Sequence, residues 1–178
     1  MATSTFSGPV VSKSGFIQTG PANVITANSS TTLTVADHAG RIVYNSGAGA
    51  VTYTLPAINA TADPATSGPG ADYNNSNNLG AKFTIFSDIT KTGSLIVQVA
   101  NATDVMSGRA IFVDDTSDNS VGFNTSASSD TVTLNGTTTG GYLPPSIIEC
   151  VALATGKWAV TVGSSNSGTP ATPFSALV

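Results

Sequence analysis

The chain has 178 residues, a formal net charge of −4 and only 9% charged side chains, against roughly 25% in an average soluble protein. Six basic residues cannot build a phosphate-binding footprint, so nucleic acid is not expected as a partner. One cysteine and one histidine fall short of the three or four ligands of a zinc site and leave any catalytic scheme a single imidazole.

The length suits one domain. No run approaches 18 apolar residues and no basic segment precedes an apolar one. The expectation is a chain made in the cytoplasm, with no membrane partner. The six Asn-x-Ser/Thr matches, at Asn28, Asn59, Asn74, Asn101, Asn124 and Asn135, are what a Ser/Thr/Asn-rich composition produces by chance.

Residues 1–30 read as an extended N-terminal arm, or else as a frayed tail or a first edge strand. Phe6, Val10, Val11, Phe16 and Ile17 stand among Gly, Pro and Ser, too sparse for a core of their own, and are candidate anchors on a partner. From residue 31 strand patterns begin, with short apolar or alternating runs at Thr32–Val35, Arg41–Tyr44 and Val51–Leu55. Asn45–Gly49 between the last two fits a hairpin link. Gly47-Ala48-Gly49 is not a nucleotide loop, because Thr52 stands where the third glycine belongs and no helix follows. His38, beside Asp37 at a turn, is expected to make local hydrogen bonds rather than act as a base. Residues 56–80, rich in Pro, Gly and Asn, form a long loop expected to contact a neighbouring subunit or to stand as an exposed tip.

Lys82–Phe86 and Ser94–Val99 read as a strand pair turned at Thr92-Gly93, and Ala110–Val113 as another short strand. Asp114–Asn119 is the densest carboxylate cluster. It lacks the glycine and distal Glu of a calcium loop and is read as a solvated acidic turn. The stretch Asp130–Ser164 is the most explicit. Thr131–Leu134 alternates, Ile147–Leu153 is a longer apolar run, Ala154–Lys157 turns the chain, and Trp158, Val160 and Val162 share one face. Cys150 is read as a small core residue, and Glu149 as facing solvent or pairing with Lys157 across the hairpin. Residues 165–178 form a C-terminal tail whose Phe174 is a further candidate partner contact.

About ten short strands with turn signals between them predict an all-β fold. It is an antiparallel β-sandwich or small barrel, jelly-roll-like, with its body at 31–164. The reading for function is structure and binding: no enzyme, no cofactor, no metal.

Four stretches carry a resemblance: Val97 to Gly108, Ser129 to Gly141, Gly156-Lys157-Trp158, and Gly168 to Ala176. In this order they resemble the head decoration, or cement, proteins of tailed bacteriophages, over roughly residues 40–178. Thr5 to Val10 is similar to the N-termini of phage structural proteins, and Tyr142–Ser146 departs from the family pattern, which is more polar there. The resemblance implies a virion protein on the outer surface of the head. It would bind the major capsid protein, bridge neighbouring subunits as a homotrimer and lay an arm over the lattice. A tail-fibre or knob domain, or another glycan- or receptor-binding virion module, is the alternative.

Overall fold

The computed structural model describes residues 23–60, 77–115 and 119–178. The described residues contain twelve strands and a single helical turn: β1 (Val24–Thr26), β2 (Thr31–Thr32), α1 (Val35–His38), β3 (Ile42–Asn45), β4 (Val51–Thr54), β5 (Lys82–Ser87), β6 (Leu95–Gln98), β7 (Val105–Asp114), β8 (Ser120–Asn124), β9 (Thr131–Leu134), β10 (Ser146–Ala154), β11 (Lys157–Asn166) and β12 (Phe174–Ser175). They form a seven-stranded sheet in the order β1-β3-β5-β10-β11-β7-β8 and a five-stranded sheet in the order β12-β9-β6-β4-β2. The two pack face to face as an all-β sandwich, the expected class.

The first six strands alternate between the sheets, so that β1, β3 and β5 lie parallel in one and β2, β4 and β6 parallel in the other. This half of the chain is a two-layer roll, each coil laying one strand in each sheet. Two expected hairpins are thereby corrected. β3 and β4, and likewise β5 and β6, are not hydrogen-bonded to each other but face each other across the core. Val43 and Tyr53 are both fully buried in this way, one contributed by each sheet. A purely antiparallel sandwich is corrected with them: five strand pairs are parallel, the fifth being β7 with β11. Antiparallel pairing does hold for β10 with β11 and β5, for β7 with β8, and for β9 with β6 and β12.

Side chains alternate in and out along each strand, so registered rows of apolar residues line the interior. Ile25, Val43, Ile85, Ile148, Val162, Ala110 and Phe123 make one row across the larger sheet. Tyr53, Val97, Val132 and Phe174 make another across the smaller. Trp158 is fully buried and meets Phe83 edge to face at 5.8 Å between ring centroids. β7 approaches β11 so closely that a Cβ at Gly108 would lie 1.7 Å from the Val160 carbonyl oxygen, which explains a glycine inside a ten-residue strand.

Two strands fall outside the span 31–164. β1 lies within residues expected to be arm, and β12 within the expected tail. β12 is pinned by Thr133 N–H donating to the Pro173 carbonyl at 2.8 Å, and by the Asp130 carboxylate accepting from the Leu177 and Val178 amides at 2.8 and 3.2 Å.

Candidate binding face

On the outer face of the larger sheet, successive rows differ in character. One row is polar: Thr84, Glu149, Thr161, Arg109 and Asn124 stand in register across β5, β10, β11, β7 and β8. The next is apolar, with Tyr44, Phe86, Ile147, Gly163, Ile111 and Gly122 in register from β3 to β8. Beyond it on β7 stands Val113. Ile111 is 50%, Val113 57%, Ile147 37% and Leu143 46% exposed. Outward residues of a sheet with one solvated face are ordinarily polar, so a contiguous apolar band on it marks a contact surface.

The band deepens into a recess of about 420 Å³ walled by Val113, Leu143, Pro144 and Ile147, with Gly163 among its lining residues. A Cβ at Gly163 would have nothing within 4 Å, so the glycine leaves open space where β11 passes between Ile147 and Ile111. The Leu143-Pro144-Pro145 wall is held on β11 by Ser165. Its hydroxyl donates to the Leu143 carbonyl at 2.7 Å and accepts from the Leu143 amide at 3.0 Å, while the Tyr142 amide donates to the Ser165 carbonyl at 3.2 Å. At the other end of the band the Tyr44 hydroxyl donates to Asp88 at 2.6 Å. This bond, with desolvation and the nearby charge, raises the Tyr44 pKa and holds the phenol neutral.

The groups singled out for chemistry are each occupied otherwise. Cys150 is fully buried between Phe83 and Val160, and burial first, the Glu149 charge second, pushes its thiol up to about 12. Such a thiol is inert as a nucleophile. His38 ends α1, where its Nδ1 accepts from the Thr34 amide at 3.0 Å, and the Thr34 hydroxyl accepts from the Asp37 amide at 3.2 Å as the N-cap. Glu149 faces outward, as expected, but does not pair with Lys157. It pairs with Lys82 of β5 at 2.6 Å. Phe174, expected to reach a partner, is only 8% exposed and seated in this chain's own core by the pairing of β12 with β9. Phe6, Val10, Val11, Phe16 and Ile17 lie outside the described residues, as do 61–76 of the long loop and 116–118 of the acidic turn. Among the described residues, no three His, Cys, Asp or Glu side chains converge.

A buried lysine was not anticipated. Lys91 is 3% exposed and its ammonium donates to Asn45 Oδ1 at 3.0 Å and to the Gly47 carbonyl. The Asn45 amide in turn donates to the Tyr53 hydroxyl at 2.9 Å and to the Ala27 carbonyl at 3.0 Å. Desolvation lowers the Lys91 pKa. This network ties the β3–β4 and β5–β6 links together at one end of the sandwich and is a structural bolt.

The apolar band had a signal in the sequence that alternation alone does not use. Ala110-Ile111-Phe112-Val113 and Ile147-Ile148 are uninterrupted apolar runs on strands where only every second residue can face the core. Comparison with protein-family models, curated proteins and solved structures finds no match to this chain.

Proposed function

We propose that this chain is a structural virion protein, a decoration protein that binds the outside of a bacteriophage head and bridges neighbouring major capsid subunits. The observation that carries the reading is the apolar band on the outer face of the larger sheet, joined to the resemblance of the four motifs. A sandwich stiffened by ten-residue strands offers a face already ordered before contact, which lowers the entropic cost of binding. The hydroxyl- and amide-rich remainder lets many copies stand close without the repulsion of a highly charged surface. A homotrimer engaging several subunits at once would gain avidity from contacts that are weak singly. The glycan-binding alternative calls for an exposed aromatic platform, whereas the recess is lined by Val, Leu, Pro, Ile, Gly and Ser, and the band's two aromatics, Tyr44 and Phe86, are only partly exposed and tilted against each other.

The test is co-sedimentation of the purified protein with heads that lack it, alongside a mass measurement of the free species. The expected result is saturable binding by a species three times the chain mass, and its loss in Ile111→Asp or Val113→Asp. Unchanged binding by both variants would take the band out of the reading. Failure of the intact protein to bind heads, with binding to cells or glycans instead, would move it to a fibre or knob.

A further inference from the structure

The buried lysine of the roll is gripped along its whole length. A Cβ at Gly136 would lie 2.0 Å from the Lys91 carbonyl oxygen, and one at Gly141 would lie 3.1 Å from the Lys91 Cγ. The Lys91 amide donates to the Gly141 carbonyl at 2.8 Å, and the Thr92 and Gly93 amides donate to the Ala48 carbonyl at 2.8 and 3.1 Å. The β5–β6 link is thus clamped on the β3–β4 link, and the end of Lys91 is delivered to the side chain of Asn45. Both acceptors of the Lys91 nitrogen, Asn45 Oδ1 and the Gly47 carbonyl, are neutral, so no counter-charge holds it as an ammonium.

Asn45 is fully buried at the end of β3. The Ala27 carbonyl can only accept, which turns the Asn45 amide nitrogen toward it and toward the Tyr53 hydroxyl and leaves the amide oxygen 3.0 Å from Lys91 Nζ. By ordinary hydrogen-bond geometry the lysine nitrogen then stands roughly 3–4 Å from the carboxamide carbon, at the edge of attack distance. The nucleophile is the neutral amine, and desolvation favours that form. A nucleophile, a carboxamide and a hydroxyl on the leaving nitrogen are therefore fixed together away from water.

We propose that Lys91 and Asn45 are the two ends of an intramolecular isopeptide bond that the folded chain forms by itself. Lys91 Nζ attacks Asn45 Cγ, the new C–N bond forms, the bond from Cγ to Nδ2 breaks, and Nδ2 leaves as ammonia. The Tyr53 hydroxyl, 2.9 Å from Nδ2, hands its proton to the leaving nitrogen and takes back the one that Nζ sheds. No oxidant or second substrate is consumed. The product closes a covalent loop that contains β4 and β5, turning the bolt of the roll into a permanent one. A linked Lys91 carries no charge, so its titration belongs to the unlinked chain, which is separable by mass.

The experiment is intact mass of the purified full-length protein followed during incubation, with tryptic digestion of each sample. The expected result is loss of one ammonia and a branched peptide in which residues 42–82 are joined to 83–109 through an uncut Lys91. Both should be missing in Lys91→Met and in wild type kept in denaturant, and Tyr53→Phe should accumulate them roughly 100-fold more slowly. Unchanged mass with cleavage after Lys91 throughout would overturn the proposal. So would an ammonia loss that persists in Lys91→Met, which would assign it to a succinimide at an asparagine such as Asn135 before Gly136. Linkage in Tyr53→Phe at the wild-type rate would overturn the proton path through that hydroxyl. Head binding enters none of these readouts, so this result and the function test fail independently.

Discussion

The two halves of the sandwich are built on opposite principles. In the roll, β1 to β6, consecutive strands never pair with each other, the strands are two to six residues long, and the interior at one end is polar, holding Lys91, Asn45 and the Tyr53 hydroxyl. In the closing half, β10 and β11 form a hairpin of nine- and ten-residue strands and β7 and β8 pair directly. There the aromatic Trp158, with Met106 and Cys150, fills the core. A hairpin closes a short loop before its contacts form, whereas a roll gains its pairing only after a whole coil has returned. The closing half should therefore carry more of the local stability, and the roll should depend on it.

The sharpest way to break that comparison is Trp158→Ala. Removing a fully buried aromatic should cost about 3–5 kcal/mol in chemical denaturation. A loss under about 1 kcal/mol would deny the closing half its role as anchor. Trp158→Phe should cost far less, because the indole Nε1 has no hydrogen-bond partner to lose and an aromatic ring still meets Phe83.

A smaller effect separates two glycines in adjacent strands. Gly108→Ala must push β7 away from the Val160 carbonyl and should cost roughly 1–3 kcal/mol, as overpacking does. Gly163→Ala meets nothing within 4 Å and should change stability by less than about 0.5 kcal/mol. Equal losses in thermal unfolding would mean that the close approach of β7 and β11 is not what fixes Gly108.

The same contrast explains what the sequence disclosed. The β10–β11 hairpin was legible because its partners are joined by a short turn and Trp158, Val160 and Val162 recur at every second position with Ala159 and Thr161 between them. The roll was not. Arg41–Tyr44 and Val51–Leu55 each announced a strand, but a period of two states which face is buried and never which strand is the partner. A five-residue link such as 46–50 spans the roughly 10 Å between sheets as readily as it turns a hairpin. β12 escaped notice because two residues carry no period, and its anchor Asp130 is distant in sequence. The binding face was half visible. The runs at Ile111–Val113 and Ile147-Ile148 showed too many apolar residues for one buried face, but only register brings β7, β11 and β10 together into a band.

The polar end of the roll is tested by pH. Burial lowers the Lys91 pKa in the folded protein, so between that lowered value and the unfolded value near 10.5 the unfolded chain binds more protons. Stability contributed at this site therefore rises with pH through that window, and its burial penalty is fully present below it. Cys150 and Tyr53 act in the opposite direction above about pH 9 and 10, since burial raises both. The measurement is consequently the difference between wild type and Lys91→Met at each pH, in which those two groups cancel. That difference should shift in favour of wild type as pH climbs toward 10.5. A difference flat across this range would show that Lys91 is not desolvated in the folded state.

The smallest effect lies at the seam. Lys82 belongs to the last coil of the roll in the larger sheet and Glu149 to the closing hairpin, and their 2.6 Å ion pair crosses the β5–β10 junction. Both side chains are well exposed, at 49% and 39%, so water screens the attraction and ordering two long side chains offsets much of it. Glu149→Gln should cost less than about 1 kcal/mol, and the difference from wild type should shrink further at high salt. What binds the halves at this seam is instead the registered burial of Ile85 on Ile148 and of Phe83 beside Cys150. If Glu149→Gln cost as much as Gly108→Ala, the junction would be electrostatic, and the roll would be tethered to the hairpin rather than sharing its core.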